Sequence, residues 1–452
     1  MPPASGPSEV AAPSAKPSRG RTATRRATAR PLGVRCTDTA ADVYAAVLPA
    51  EGAPPERGAI LRCAEDAPLA RSEVEGRLGR ARVSGMRSTT GARVFRIAYA
   101  TRRRGDVPGV GTALVYLPDP PARAPSDVAV VAHGTAGMAD RCAPSIPGTT
   151  SDYLALPWLA HGFAVVAPDY AGLGNAGVQG YLDWEDTGHS ALDASRAIRG
   201  LAGRTRLGTK DVYVGHSQGA GASLAAQALA PTYGAGGRVA AVVAFAPAFT
   251  IDADVTPIAF PFVSTSALGG GPATILSMHF YGFFANRYGE ARRGDGFGAA
   301  HREAVVEALE RDCIFDLLHS LPRTARSFGE LFDPTFRAEA LACASGRACE
   351  GPGGDYVGFL RANVLSLDPA GAPILHLQGT HDEFEPPVQA ACLDAKLARD
   401  GVRTTVCVED SDHMGIVWAR SDHAIAWARA ILDGTEPPRC PTQGSLPACP
   451  IP

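Results

Sequence analysis

Short, uninterrupted apolar runs recur along this chain, separated by stretches rich in helix formers. The runs are Asp127 to Ala132, Phe163 to Ala167, Asp211 to Val214, Val239 to Phe245, Pro373 to Gly379 and Arg403 to Val408. A segment this short, with little polar alternation, reads as a strand covered on both faces. Helical patterns lie between them at about 152–161, 189–201 and 220–229, and an amphipathic one closes the series at about 422–432. Strands that alternate with helices in this way specify an α/β fold built on a mostly parallel, doubly wound sheet. Two earlier runs, Ala92 to Tyr99 and Gly111 to Leu117, add a pair of strands that the pattern predicts to be antiparallel.

The rhythm breaks between about 251 and 365. Apolar clusters there, Phe260 to Val263 and Met278 to Phe284, and a helix predicted around 301–321 come without strand alternation, so the segment reads as a helical cap inserted into the sheet domain. The expected organisation is a disordered basic tail over 1–35 and a first part of the core over 36–250. The cap over 251–365, the second part of the core over 366–435 and a Pro-rich tail over 436–452 follow. Within the cap, Phe262, Phe280 and Phe284 are candidates for contact with an apolar substrate, against the plainer reading that such aromatics form the cap's own interior.

A net charge of −3 over 452 residues, with 20% charged residues, argues against a general electrostatic binder of nucleic acid or anionic membranes. The 10 cysteines show no metal-ligand spacing and form an even set, which favours an oxidised, secreted or periplasmic protein. Cys440 and Cys449 read as a local staple for the tail. No signal peptide is visible, because the first 35 residues hold no apolar core.

Gly215-His216-Ser217-Gln218-Gly219 stands between the strand at 211–214 and the helix at 220–229. Strand, sharp turn and helix form the setting of a nucleophile elbow, in which small residues two positions either side let strand and helix approach. Ser217 is therefore the candidate nucleophile. After the strand at 373–379 comes Thr380-His381-Asp382, and after the strand at 403–408 comes Glu409-Asp410-Ser411-Asp412-His413. Strand ends of a parallel sheet converge on one crevice, and the order Ser217, Asp382, His413 is nucleophile, acid, base. Rivals are His381 for the base and Glu383, Glu385, Asp410 and Asp412 for the acid. His133-Gly134-Thr135 follows the strand at 127–132, so the backbone N–H groups of Thr135 and Gln218 are the candidate oxyanion donors. This constellation predicts acyl transfer through an acyl-enzyme, and no metal site is read from the sequence. A peptidase or acyltransferase would use the same residues, and a non-catalytic scaffold is a third reading.

The sequence resembles the secretory lipase family of α/β-hydrolases. The resemblance is carried by His133-Gly134-Thr135, Cys142 to Ser145, Pro168 to Gly174, the elbow, Gly379 to Asp382 and His413. It implies a secreted lipase or esterase acting on acyl esters, triacylglycerols among them, with no cofactor. It also implies a helical cap over the acyl site, transient contact with a lipid interface, and a disulfide from Cys142 to a cap cysteine, with Cys313 the candidate. One departure is Glu385, where relatives often carry an apolar residue before the proline of the acid loop.

Overall fold

Nine strands form one sheet in the order β1-β2-β3-β5-β4-β6-β7-β8-β9. They are β1 (Ile60–Leu69), β2 (Gly91–Arg103), β3 (Val107–Asp119), β4 (Ser126–Ala132), β5 (Ala164–Pro168), β6 (Leu207–His216), β7 (Arg238–Phe245), β8 (Ile374–Gly379) and β9 (Thr404–Glu409). The computed structural model describes residues 32–83, 85–121, 125–146, 152–203, 207–249, 270–441 and 444–450. The sequence reading of the tail over 1–31, and that of Phe262, lie outside these residues.

The strands from β4 to β9 pair in parallel, and β1, β2, β3 and β5 pair antiparallel along the other edge. Every one of the six central and carboxyl-side runs predicted from the sequence is a strand. Helices cover both faces. On one side Asp152–Ala160 and Gly415–Asp433 bury Trp158, Phe163 and Trp427 against β4 to β7. On the other, Trp184–Ala202, Gln218–Tyr233 and Pro387–Arg399 bury Trp184, Leu224 and Leu397. The sheet is thus apolar on both sides, which is why its inner strands need no alternation.

β1 and the helix Arg71–Arg80 were not legible in the sequence. β1 carries Glu65 and Asp66, which look like loop charges in the linear chain. Across the antiparallel pair they meet Arg93 and Arg96, each at 2.8 Å, so the charges are the cross-strand partners of β2.

Between β7 and β8 the described residues 270–362 form helices, led by Gly270–Tyr288, Pro334–Ala344 and Gly351–Ala362. The single helix predicted at 301–321 is broken into Arg302–Arg311 and Ile314–Ser320. The cause is Cys313, which is extended so that it can pair with Gly137 as a β-bridge and bond to Cys142. Asn363 then ties the end of the last cap helix to the core. Its side chain accepts from the Trp184 N–H and from Arg104, both at 2.9 Å, and donates to the Leu182 carbonyl at 2.7 Å.

All ten cysteines are paired, as Cys36–Cys63, Cys142–Cys313, Cys343–Cys349, Cys392–Cys449 and Cys407–Cys440. The link from Cys142 to Cys313 is the one the family resemblance implies. The local staple Cys440–Cys449 does not form. Each tail cysteine instead reaches a separate element, the helix Pro387–Arg399 and the strand β9, so the tail is fastened across the last α/β unit. Peptide mapping without reductant is expected to recover Cys392–Cys449 and Cys407–Cys440, and a Cys440–Cys449 peptide would contradict this arrangement. Replacing both Cys407 and Cys440 by serine is expected to lower stability by about 2–4 kcal/mol in denaturant titrations.

Candidate active site

Ser217 links β6 to the helix Gln218–Tyr233 with φ 55° and ψ −121°, a left-handed backbone that an L-residue adopts only under constraint. The constraint is backbone packing. A methyl group on Gly215 would overlap the carbonyl of Gly219, and one on Gly219 would overlap the carbonyl of Ala132 in β4. Ser217 is held in addition by its own amide groups. Its N–H donates to the Phe245 carbonyl at 2.9 Å, and its carbonyl accepts from Ala248 N–H at 3.2 Å.

Asp382 and His413 leave the ends of β8 and β9 and meet. His413 Nδ1 lies 2.9 Å from both carboxylate oxygens of Asp382, and both side chains are buried. Three more donors converge on Asp382. The N–H groups of Phe384 and Glu385 reach Oδ1 at 3.0 and 2.8 Å, and Gln378 Nε2 reaches Oδ2 at 3.1 Å. The acid is therefore fixed in one orientation, which in turn fixes the tautomer and plane of the imidazole.

His216, immediately before Ser217, joins this pair to the elbow. Its Nε2 lies 3.0 Å from the His413 carbonyl, and the two rings are 4.6 Å apart. Burial, with the nearby His413 adding to it, pushes the His216 imidazole down to about 3, so it stays neutral and holds the base loop as a hydrogen-bonding group. The rival His381 is exposed and pairs with exposed Asp410 at 2.8 Å, away from this cluster. Glu383 is exposed as well.

The loop after β4 lies against the elbow. A methyl group on Gly134 would stand 3.6 Å from Ser217 Cβ and 3.2 Å from the His216 carbonyl, so the two backbones are in contact where the oxyanion donors are expected. Thr135 Oγ1 shares a 2.7 Å hydrogen bond with Tyr181 OH. Ile314 N–H donates to Ala136 O at 2.9 Å, which brings the cap onto the same loop. Gln218 is buried, and both atoms of its side-chain amide lack a hydrogen-bond partner among the described residues.

Phe280 and Phe284 are not on a wall of this crevice. They are buried in the cap interior, where Phe280 packs on Phe332 and Tyr356 at 4.7 and 4.8 Å and Phe284 on Phe336 at 5.4 Å. These five aromatic residues of the cap cover one another more completely than an open groove could cover any of them. Gln378 and Tyr181 escaped sequence reasoning because a polar residue at a strand end and a tyrosine in a Gly-rich loop carry no pattern that singles them out.

Strand order, elbow and buried acid–base pair define an α/β-hydrolase. The family model for secretory lipase matches residues 146–332 of this α/β-hydrolase chain, as the sequence resemblance implies. Among solved structures, the chain is similar to the rice cell wall degrading esterase LipA from Xanthomonas oryzae, at 19% identity over 84% of this chain and 100% of that one, with a TM-score of 0.63. It is also similar to a putative hydrolase from Legionella pneumophila, at 18% identity over 82% and 98%, TM-score 0.65. A third is Candida antarctica lipase A in its closed state, at 16% identity over 88% and 86%, TM-score 0.62. No curated protein sequence matches. The family match on this fold makes the protein a serine carboxylic ester hydrolase of lipase or esterase type. With five disulfides, it also points to an extracellular or periplasmic location.

Two outcomes test the site. Asp382→Asn, which keeps the shape but loses the charge that orients His413, is expected to lower kcat by about 10⁴-fold, while His381→Ala changes it little. The second concerns His216. Its folded-state value lies below the ordinary histidine range, so the unfolded chain takes up a proton that the folded protein excludes. The stability it confers is present above about pH 6.5 and is lost as pH falls toward its folded value. The melting-temperature gap between wild type and His216→Gln should therefore shrink from about pH 7 to about pH 4, and a constant gap would contradict the neutral assignment.

Proposed function

We propose that Ser217, His413 and Asp382 act as nucleophile, general base and orienting acid, with the backbone N–H groups of Gln218 and Thr135 as oxyanion donors. The observation that carries this reading is the buried His413–Asp382 pair, delivered by two strand ends to the side of a strained serine elbow. Ser217 Oγ attacks the ester carbonyl while His413 Nε2 takes its proton, and Asp382 stabilises the imidazolium that forms. Negative charge on the carbonyl oxygen is met by the two amides. Collapse expels the alcohol, which receives the proton from His413, and leaves an acyl-serine. Water then repeats the sequence and releases the carboxylic acid.

The expected substrates are acyl esters, triacylglycerols among them, rather than peptides or nucleic acids. The cap is the part proposed to meet a lipid interface, and it carries Phe315, 73% exposed on the helix Ile314–Ser320 beside the Cys142–Cys313 tie. No described helix is long and apolar enough to cross a membrane. Phe280 and Phe284 serve the cap's shape.

Ser217→Ala is expected to lower kcat on p-nitrophenyl esters by about 10⁴–10⁶-fold, and a fluorophosphonate should label the wild type alone. A variant that retains a tenth of the activity would remove Ser217 from the role. In a panel of esters of increasing chain length, Phe280→Ala should destabilise the protein by about 3–5 kcal/mol and leave the ranking of chain lengths as it was. A selective loss of long-chain esters would return Phe280 to the acyl site.

A further inference from the structure

The acid loop carries a second carboxyl that the proposed triad does not use. Glu385 lies three residues after Asp382 and is fixed from its backbone, its N–H donating to Asp382 Oδ1 at 2.8 Å and its carbonyl accepting from Gln378 Nε2 at 2.9 Å. Part of the residue reaches solvent, yet Oε2 is buried and has no hydrogen-bond partner among the described residues. An unanswered buried carboxyl oxygen is costly, and a native chain keeps one where something else answers it.

Its surroundings place Glu385 at the crevice. Phe384, the preceding residue, packs on the His413 ring at 5.1 Å. The buried Tyr181 phenol, its pKa raised chiefly by burial with a smaller contribution from Glu385, is bonded to Thr135 Oγ1 at 2.7 Å. Glu385 therefore stands next to the His413–Asp382 pair, on the loop that an ester must approach to meet Ser217. Burial, reinforced by neighbouring Asp382, raises its carboxyl well above the usual carboxylate range, and a carboxyl held toward its protonated form has both an O–H donor and a carbonyl acceptor to offer. A hydrocarbon would leave both unanswered. A cation would need a second negative charge beside Asp382. An uncharged hydroxyl can both accept and donate, and it fits this group.

We propose that Glu385 is a specificity-determining residue that hydrogen-bonds a hydroxyl group of the substrate, directing the site toward esters that carry a hydroxyl close to the scissile bond. The inference rests on the reading of this site as that of an ester hydrolase.

The test uses two matched pairs and the full chain. For the acyl side, p-nitrophenyl butyrate is compared with p-nitrophenyl β-hydroxybutyrate; for the alcohol side, ethyl butyrate is compared with ethylene glycol monobutyrate. Glu385→Leu is expected to lower the hydroxylated-to-plain ratio of kcat/KM roughly tenfold in one of the pairs, and Glu385→Gln to keep most of it. The pair that responds tells which side of the ester carries the recognised hydroxyl. Glu385→Met keeps the length without a hydrogen-bonding group and carries the same expectation, so a folding defect in the leucine variant does not remove the test. Unchanged ratios in both pairs, or equal losses on all four esters, would overturn the proposal and leave Glu385 a packing residue. Failure of the wild type to hydrolyse any of the four esters would instead overturn the ester hydrolase reading on which it stands.

Discussion

The turn at Ser217 is a backbone conformation that the rest of the structure has to hold. A positive φ at a non-glycine residue costs on the order of 1–3 kcal/mol, so it persists only where neighbours leave no alternative. Here they are β4 and β7 on either side of β6, the Phe245 carbonyl that receives the Ser217 N–H, and two glycines whose missing side chains let three backbones touch. The parallel sheet, buried on both faces, is the rigid frame against which that strain is set.

The loop after β4 is the second element on which the site depends, and many hands hold it. Tyr170 OH donates to the His133 carbonyl at 2.8 Å, and the Gly174 N–H donates to Asp140 at 3.0 Å. Asp169 accepts from Thr112 Oγ1 at 2.8 Å and from the Ser145 N–H at 2.9 Å, with burial raising its carboxyl to about 6. His133, Ser145, Asp169, Tyr170 and Gly174 belong to the stretches that carry the family resemblance, and their physical task is to fix a loop that has little secondary structure of its own. Gly172 and Gly174, at φ 78° and 81°, allow the chain to wrap back over it.

That same loop receives the cap. A disulfide, a β-bridge and the Ile314 N–H all join Cys313 and its neighbour to residues 136–142. The cap's attachment at its other end, through Asn363, is to the loop leading into Trp184–Ala202. The cap is thus fastened to the core at these places and also through His279, whose Nδ1 lies 2.9 Å from the Tyr181 carbonyl, and one of the ties is within the loop that approaches Ser217.

The parallel sheet, the elbow and the order Ser217, Asp382, His413 were legible in the linear chain because each rests on local chemistry. Apolar run length marks a doubly covered strand, and glycines two positions from a serine mark a tight strand–helix turn. The resemblance to secretory lipases rests on similarly short stretches. What tertiary structure decided was everything that depends on a partner distant in the chain. Glu65 and Asp66 become strand residues only when Arg93 and Arg96 face them, and the helix predicted at 301–321 breaks only because Cys313 meets Gly137. His413 is the base the sequence favours, with His381 its competitor; in the structure His413 is buried against Asp382 and in contact with His216, whereas His381 is exposed and paired with exposed Asp410. The tail cysteines were close in sequence yet bond elsewhere, because the chain carries each past a different element first. Phe280 and Phe284 turned inward for the same reason: which face of an apolar helix is covered depends on the helices that later pack on it, and those lie about 50 to 75 residues further along.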